Sequence, residues 1–503
     1  MEALEINLPE VFFNNDGTMK ANAGFDCIVG NPPWEIWKPN SDEFFSQYSD
    51  EYLPAKNKKA KTKIQNQIFG KFPHVRVKWE ELENRIRLGS KYYREELNYQ
   101  FQSWKVDGRK TGSDINLYKI STERFSQLLK DGGLISILVP DNLMTDLGST
   151  GLRHLIFDNY DLHEFLSFEN VRGIFPLIHR SYKFAVLTLR KSVKLRDSFK
   201  AFFYRTVLED LNNNNVKMDY PVSMVKEAEP EKYSLFEPRN KFEFDIYKKI
   251  KLSFPTLRET SLIELRRDFD RTNDTALFHP ISEADVPLYE GKLINQFKLV
   301  AKPSEGVKLS EVTRKTGSDF RFFRIGIRAV ARETDRRALI ATLLPKNTTA
   351  ANSLLMQKNI TDENLESLLF TLGIINSYVL DFVLRKLITI NVNQTYLKQL
   401  PIPRFEDTNY SKEIAQIVKY LLMLNGTMYD ELDDLISGNE FELLNFEQLI
   451  AELNARVAIV FDLEREELIN LLKTFETVNH RISVQQESQR IIEVYDLLKE
   501  GEQ

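Results

Sequence analysis

Apolar residues fall in short continuous runs through the first part of this chain and at helical spacing through the last. Residues 25–29 (FDCIV), bounded by Gly24 and by Gly30-Asn31-Pro32-Pro33, predict a short buried strand that the two prolines stop. Residues 114–129 place Leu117, Ile120, Phe125, Leu128 and Leu129 close to helical spacing, and Lys130-Asp131-Gly132-Gly133 supplies a stop. A continuous strand over 134–139 follows, closed by Pro140. Then come a helix near 151–157, a strand near 164–168 and another over 182–189. Helices alternating with continuous apolar strands predict a sheet covered on both faces, half of a doubly wound (Rossmann-like) α/β domain. Residues 41–113 interrupt it. They are polar, aromatic and irregular, and are expected to form a partly mobile insertion.

After about residue 195 the texture changes, with four asparagines at 212–215 and Pro230 marking connections. Short mixed elements over 255–404 end in Leu400-Pro401-Ile402-Pro403. Beyond them, Ile414, Ile417, Val418, Leu421 and Leu422, and later Leu468, Leu471 and Leu472, repeat at helical spacing. The expected division is 1–195, a connector over 196–254, a mixed α/β domain over 255–404 and a helical region over 405–503.

A chain of 503 residues exceeds one ordinary core, so several domains agree with its length. The net charge of −5 argues at first against a polyanionic partner. Residues 405–503, however, hold 21 acidic and 8 basic residues of the chain's 73 and 68, leaving 52 and 60 for residues 1–404. The bulk is therefore mildly basic, and phosphate attraction depends on where the cations cluster. The one cysteine, Cys27, excludes an internal disulfide and is expected to pack as a small hydrophobe. The six histidines show no metal-ligand spacing, so no metal site is expected. Apolar runs such as 134–140 and 184–189 fall far short of the roughly 20 residues of a membrane helix. MEALEINLPE lacks a signal-peptide pattern, and a cytoplasmic setting is expected.

Asn31-Pro32-Pro33-Trp34 carries the chemistry. The exocyclic amino nitrogen of adenine or cytosine is planar, with its lone pair delocalised into the ring, and is a poor nucleophile. Two carbonyl acceptors for its two hydrogens favour a more tetrahedral nitrogen. The Asn31 side-chain oxygen can be one and the Pro32 main-chain carbonyl the other, while Pro32 and Pro33 hold the backbone in advance. Trp34 offers a flat face for an extruded base. Methylation of a ring carbon would need a cysteine nucleophile, and Cys27, within the preceding strand, is not placed for it. Plainer readings exist: Asn-Pro as a turn after a strand, Trp34 as core packing and Phe175 as core at a strand entrance.

FDCIVGNPPW resembles motif IV of amino-methyltransferases, and the surrounding pattern resembles their gamma class. The resemblance implies base-holding roles for Asn31, Pro32, Pro33 and Trp34, with adenine preferred because Asn opens the motif. Residues 114–133 resemble the segment after motif IV, and 134–142 (LISILVPDN) its next strand and loop. Gly173-Ile174-Phe175-Pro176 with His179-Arg180-Ser181-Tyr182-Lys183-Phe184 resembles the later motif whose aromatic, here Phe175, lines the base pocket. Residues 287–292 (PLYEGK), 324–332 (RIGIRAVAR), 373–377 (GIINS) and 399–403 (QLPIP) are similar to the methylase and target-recognition part of type IIG restriction-modification enzymes. The resemblance covers residues 1 to about 404 and implies an adenine-specific DNA methyltransferase of a restriction-modification or phage-defence system. It also implies double-stranded DNA as partner and S-adenosyl-L-methionine as methyl donor.

Two departures stand out. The gamma class places its donor motif, an F-x-G-x-G turn, before motif IV, and only 30 residues precede Asn31. Donor binding is therefore assigned to no residue here, and an amino-terminal half or partner chain is expected to supply it. Pro140-Asp141 has no carboxylate-x-lysine downstream, so no nuclease is expected. The alternative function is a non-catalytic DNA-recognition subunit or an inactive fragment. Candidate DNA contacts are Lys58, Lys59 and Lys61, in an expected loop, and Arg314, Lys315, Arg321, Arg324, Arg328 and Arg332. The lysines can equally serve solubility; for the second set a solvated face is the alternative to the favoured DNA contact. The acidic region reads as a packing or partner module.

Overall fold

The computed structural model describes residues 4–501 except 96, 107, 111–113, 193, 332–334, 359–364, 388–390, 427–428 and 477–479. It comprises two units, Met1–Arg239 and Asn240–Gln503, taken separately below.

Six strands form the sheet of the first unit: β1 (Phe25–Gly30), β2 (Leu129–Pro140), β3 (Asp161–Glu169), β4 (Lys183–Arg190), β5 (Ser198–Arg205) and β6 (Met218–Pro221). Their order is β1-β2-β4-β3-β5-β6. β1 pairs in parallel with β2, and β3 with β5, whereas β4 runs antiparallel to both β2 and β3. The carboxyl ends of β1, β2, β3 and β5 therefore share one edge. Residues expected to connect domains instead add β5 and β6 to this sheet. On β2, Ile135, Ile137 and Val139 are buried, and Leu134, Ser136 and Leu138 on the other face are half-buried. That alternation departs from the even burial its continuous apolar run suggests.

β1 departs further from expectation. Among the described residues it pairs on one side only, Val29 is 78% exposed, and Cys27 is exposed rather than packed. An apolar run is buried only where a neighbour covers it, and β1 is an edge.

Residues 41–113 are largely helical rather than irregular. Asn57 caps α1 (Lys58–Lys71) by accepting from Ala60 N, and Pro73 opens α2 (Pro73–Glu95). Their core is aromatic, with Phe45, Tyr52, Ile68 and Val75 buried and Phe44 and Trp79 packed against them. The helices α3 (Leu117–Leu128) and α4 (Thr150–Asn159) lie close to the predicted ranges. On α3, Glu123 is 2% exposed and accepts hydrogen bonds from Phe101 N and Gln102 Nε2 at 3.2 and 2.7 Å. Burial pushes its carboxyl from 4.5 up to about 7 despite those bonds. Folded Glu123 keeps a proton that the unfolded chain releases above pH 4.5, so stability falls from there until the folded group ionises near pH 7. The loss is at most about 3 kcal/mol. Glu123→Gln is expected to be the more stable form above pH 7, with the advantage vanishing below 4.5 in urea unfolding; a pH-independent difference would reject this.

The second unit holds two four-stranded sheets. One contains β8 (Phe278–Pro280), β10 (Glu305–Val307), β9 (Val286–Tyr289) and β13 (Thr349–Ala350) in that order. The other contains β12 (Ala341–Leu344), β11 (Arg324–Arg328), β14 (Leu354–Lys358) and β7 (Glu264–Arg266). The GIINS segment belongs to the packing here. Asn376 exchanges two 2.9 Å hydrogen bonds with the Ala341 backbone, and a Cβ on Gly373 would meet Ile414 Cγ2 at 2.8 Å. The acidic region is helical as expected, including α5 (Ser411–Met423), α6 (Phe446–Val460), α7 (Arg465–Lys473) and α8 (Arg481–Gly501). Among the described residues, no single helix is long and apolar enough to cross a membrane.

Candidate base-holding site

Asn31 leaves the carboxyl end of β1, at the edge where parallel strands of α/β sheets present ligands. Its side chain is exposed and makes no hydrogen bond among the described residues, while Pro32 is buried. The segment beyond the motif is fastened to the start of α3, with Trp37 N donating to Ile115 O and Leu117 N to Glu35 O at 2.8 and 2.9 Å. Asn31 thus sits between two anchored points. An amide held out to solvent on a fixed backbone is available to a ligand.

Trp34 and Phe175 share one aromatic cluster. Both pack against one cluster built on Leu166, Phe168, Phe184 and Phe202, and the Phe175 ring stands edge-on to Phe184 at 4.9 Å. Trp34 is partly buried, so it is a wall of this cluster as well as a candidate platform, and its buried Nε1 has no hydrogen-bond partner among the described residues. Asn170 positions Phe175: its Nδ2 donates to Phe175 O and Ile178 O, both at 3.0 Å, and its Oδ1 accepts from Phe175 N at 2.9 Å. Gly173 has φ +75°, and a Cβ there would strike Arg180 Nη1 at 2.1 Å.

The same edge carries an acid pair the sequence reading did not assign. Asp141 follows β2 directly and is 4% exposed, with Glu237 and the Ser167 hydroxyl beside it. Burial first, and the Glu237 charge second, raise its carboxyl well above the usual range, opposed by Ser167 and Lys183. Lys183 Nζ lies 3.4 Å from Glu237 and 4.1 Å from the Tyr204 ring centroid. Asp141 was visible in LISILVPDN, but its partner Glu237 is distant in sequence.

The basic candidates separate on inspection of their partners. Lys58, Lys59 and Lys61 stand on α1 rather than in a loop. Lys58 and Lys59 are exposed, while Lys61 is paired with Asp42 at 2.6 Å. Lys58 and Lys61 line a cavity of about 1090 Å³ with Trp37, Lys38, Lys56 and Arg85, immediately after the motif. In the second unit, Arg314 is exposed and paired with Glu311, Lys315 is paired with Asp274, and Arg321 is exposed over the Phe320 ring. Arg324 is a correction: it is 1% exposed, 2.9 Å from Asp268, and donates to Thr348 O at 2.8 Å. Arg328 is likewise turned to the backbone, donating to Gly291 O and Ile294 O. Both point along one face of β11 into the fold. Arg332 lies outside the described residues.

Two short helices, Leu4–Asn7 and Pro9–Phe12, precede β1. Gly24 allows a close approach, but to the backbone of Leu128 and Lys130, both 2.6 Å from a Cβ placed there. Among the described residues no group of acidic, histidine or cysteine side chains could hold a metal ion.

No protein-family model and no curated protein matches the chain. Among solved structures it is similar to the type IIL restriction-modification enzyme MmeI in complex with DNA, at 9% identity and a TM-score of 0.40, over 72% of this chain and 52% of that one. It is similar also to the type IIG restriction endonuclease BpuSI, at 13% identity and a TM-score of 0.27, over 72% and 51% of the two chains. For the ATP-dependent type ISP restriction-modification enzyme LlaBIII bound to DNA the identity is 10% and the TM-score 0.37, over 81% and 30%. The chain spans about half the length of the first two structures and less than a third of the third.

Proposed function

We propose that this chain carries the base-holding part of the active site of an adenine-specific DNA methyltransferase in a restriction-modification or phage-defence system. The observation that carries the reading is Asn31, exposed and unpaired at the carboxyl end of β1, on the sheet edge where Trp34 and Phe175 share an aromatic cluster. A target adenine turned out of duplex DNA stacks against Trp34. Its amino group donates one hydrogen to Asn31 Oδ1 and the other to the Pro32 carbonyl, which turns the nitrogen lone pair away from the ring. The flanking prolines and the anchored segment after them hold both acceptors before the base arrives, so little reorganisation accompanies binding. The methyl group comes from S-adenosylmethionine, held by another polypeptide or segment. Exposed cations such as Lys58, Lys59 and Arg321 contact phosphates.

The test is transfer of labelled methyl from S-adenosylmethionine to mixed-sequence DNA, with and without a donor-binding polypeptide encoded beside this chain. Incorporation is expected only with both present, and N6-methyladenine is the expected product in digested DNA. Incorporation by this chain alone would overturn the division of labour. Absence of it in both arms would favour a non-catalytic recognition subunit.

A further inference from the structure

The loop from β3 to β4 presents an apolar tip beside this site. Leu177 is 99% exposed, with Val171 and Tyr182 at 55% and Ile178 at 45%. Single exposed aliphatics are ordinary, but three with a tyrosine in one loop constitute a patch that a partner is expected to cover. The tip is also held in place. Besides the Asn170 bonds to Phe175 and Ile178, Ile178 N donates to Phe175 O, Tyr182 N to His179 O and Arg180 Nη1 to Val171 O, at 3.1, 3.1 and 3.2 Å. Asn170 itself is wholly buried. Residues 170–183 (NVRGIFPLIHRSYK) contain no acidic side chain, and Arg172, His179 and Arg180 are exposed around the tip. An apolar point set among cations, fixed before binding, is complementary to a polyanion with stacked apolar layers inside it.

We propose that Leu177, with Ile178 behind it, is a wedge that enters the base stack of duplex DNA and fills the vacancy left by the extruded base. The inference rests on the function proposed above and names how that site opens its substrate. Phe175, two residues before Leu177, packs in the Trp34 cluster, so one rigid loop links the wedge to the pocket. Aliphatic side chains inserted between base steps offset part of the lost stacking, and flanking arginines neutralise the adjoining phosphates.

The probe is a 30-base-pair duplex with one abasic site, compared with the intact duplex by fluorescence anisotropy. The abasic site presents the vacancy without a base to extrude, whatever word the protein reads. The full chain is expected to bind the abasic duplex at least about fivefold more tightly, because the few kcal/mol of unstacking is already spent. Leu177→Ser is expected to bring the ratio within about twofold, and Leu177→Phe to keep it, since an aromatic ring also fills the gap. Leu177 is almost wholly exposed, so both variants are expected to melt with the wild type. No preference in the wild type, the result expected if another protein covers the tip, would overturn the wedge. So would a preference that survives in Leu177→Ser, or an equal weakening on both duplexes. If Asn31→Ala leaves methyl transfer intact, the function proposed above fails while this ratio still reports on the wedge.

Discussion

Asn31→Ala is expected to lower methyl transfer to DNA by about 10²- to 10³-fold in the presence of a donor-binding polypeptide, the cost of removing one acceptor or donor from a preorganised site. DNA affinity should stay within about twofold, because phosphate contacts position a protein on DNA independently of the base pocket. The residue makes no protein hydrogen bond among the described residues and is exposed, so the loss cannot be charged to unfolding. Asn31→Asp keeps an acceptor oxygen at the same reach and is expected to lose less than the alanine variant. Labelled methyl incorporation under single-turnover conditions and anisotropy on the same DNA measure the two quantities. A parallel fall in both would place Asn31 among the binding contacts and reject its role at the amino group.

Arg324→Ala is expected to destabilise the second unit by roughly 3 to 5 kcal/mol, the usual cost of removing one member of a buried ion pair. The guanidinium is 2.9 Å from Asp268 and donates to the Thr348 carbonyl, so its removal leaves that carbonyl without this donor and takes one cation from the buried carboxylate. Arg266, also 2.9 Å from Asp268, and the Thr349 hydroxyl, donating at 3.1 Å, stay on the carboxylate and keep the effect toward the lower end. Arg324→Met with Asp268→Asn should recover much of the loss, since no unpaired charge remains buried. Arg321→Ala, by contrast, is expected to leave urea unfolding unchanged and to weaken DNA binding. If Arg324→Ala melts with the wild type and only DNA binding falls, the interior placement of Arg324 is refuted.

These two arginines illustrate where sequence reading stops. Arg321 and Arg324 are three residues apart and chemically identical, and charge alone grouped them as DNA contacts. Strand β11 then carries Arg324 inward toward Asp268, whereas Arg321 precedes the strand and remains exposed. The apolar positions of 41–113 are aromatic and scattered, so the sequence predicts a loop at Lys58 and Lys59. Their helix becomes intelligible only when Phe45, Tyr52 and Trp79 are seen to close a core of their own. Helix α3 was legible within a few residues because its apolar stripe is a local signal, but Lys130-Asp131-Gly132-Gly133, expected as its stop, lie in β2, which begins at Leu129 directly after the helix.

The residues of the candidate motif are a matter of local covalent order and could be read from the chain itself. Asn31 needs only its own amide, two prolines and a strand end to be chemically suggestive, and all of these are contiguous. Tertiary structure decided which distant groups join it. It set Phe175 and Trp34 against one cluster, put Glu237 beside Asp141 and, among the described residues, left the outer edge of β1 unpaired and the tip at Leu177 exposed. Burial and partnership are set by which strands lie side by side, and an order of β1-β2-β4-β3-β5-β6 places next to one another segments that no periodicity along the chain connects.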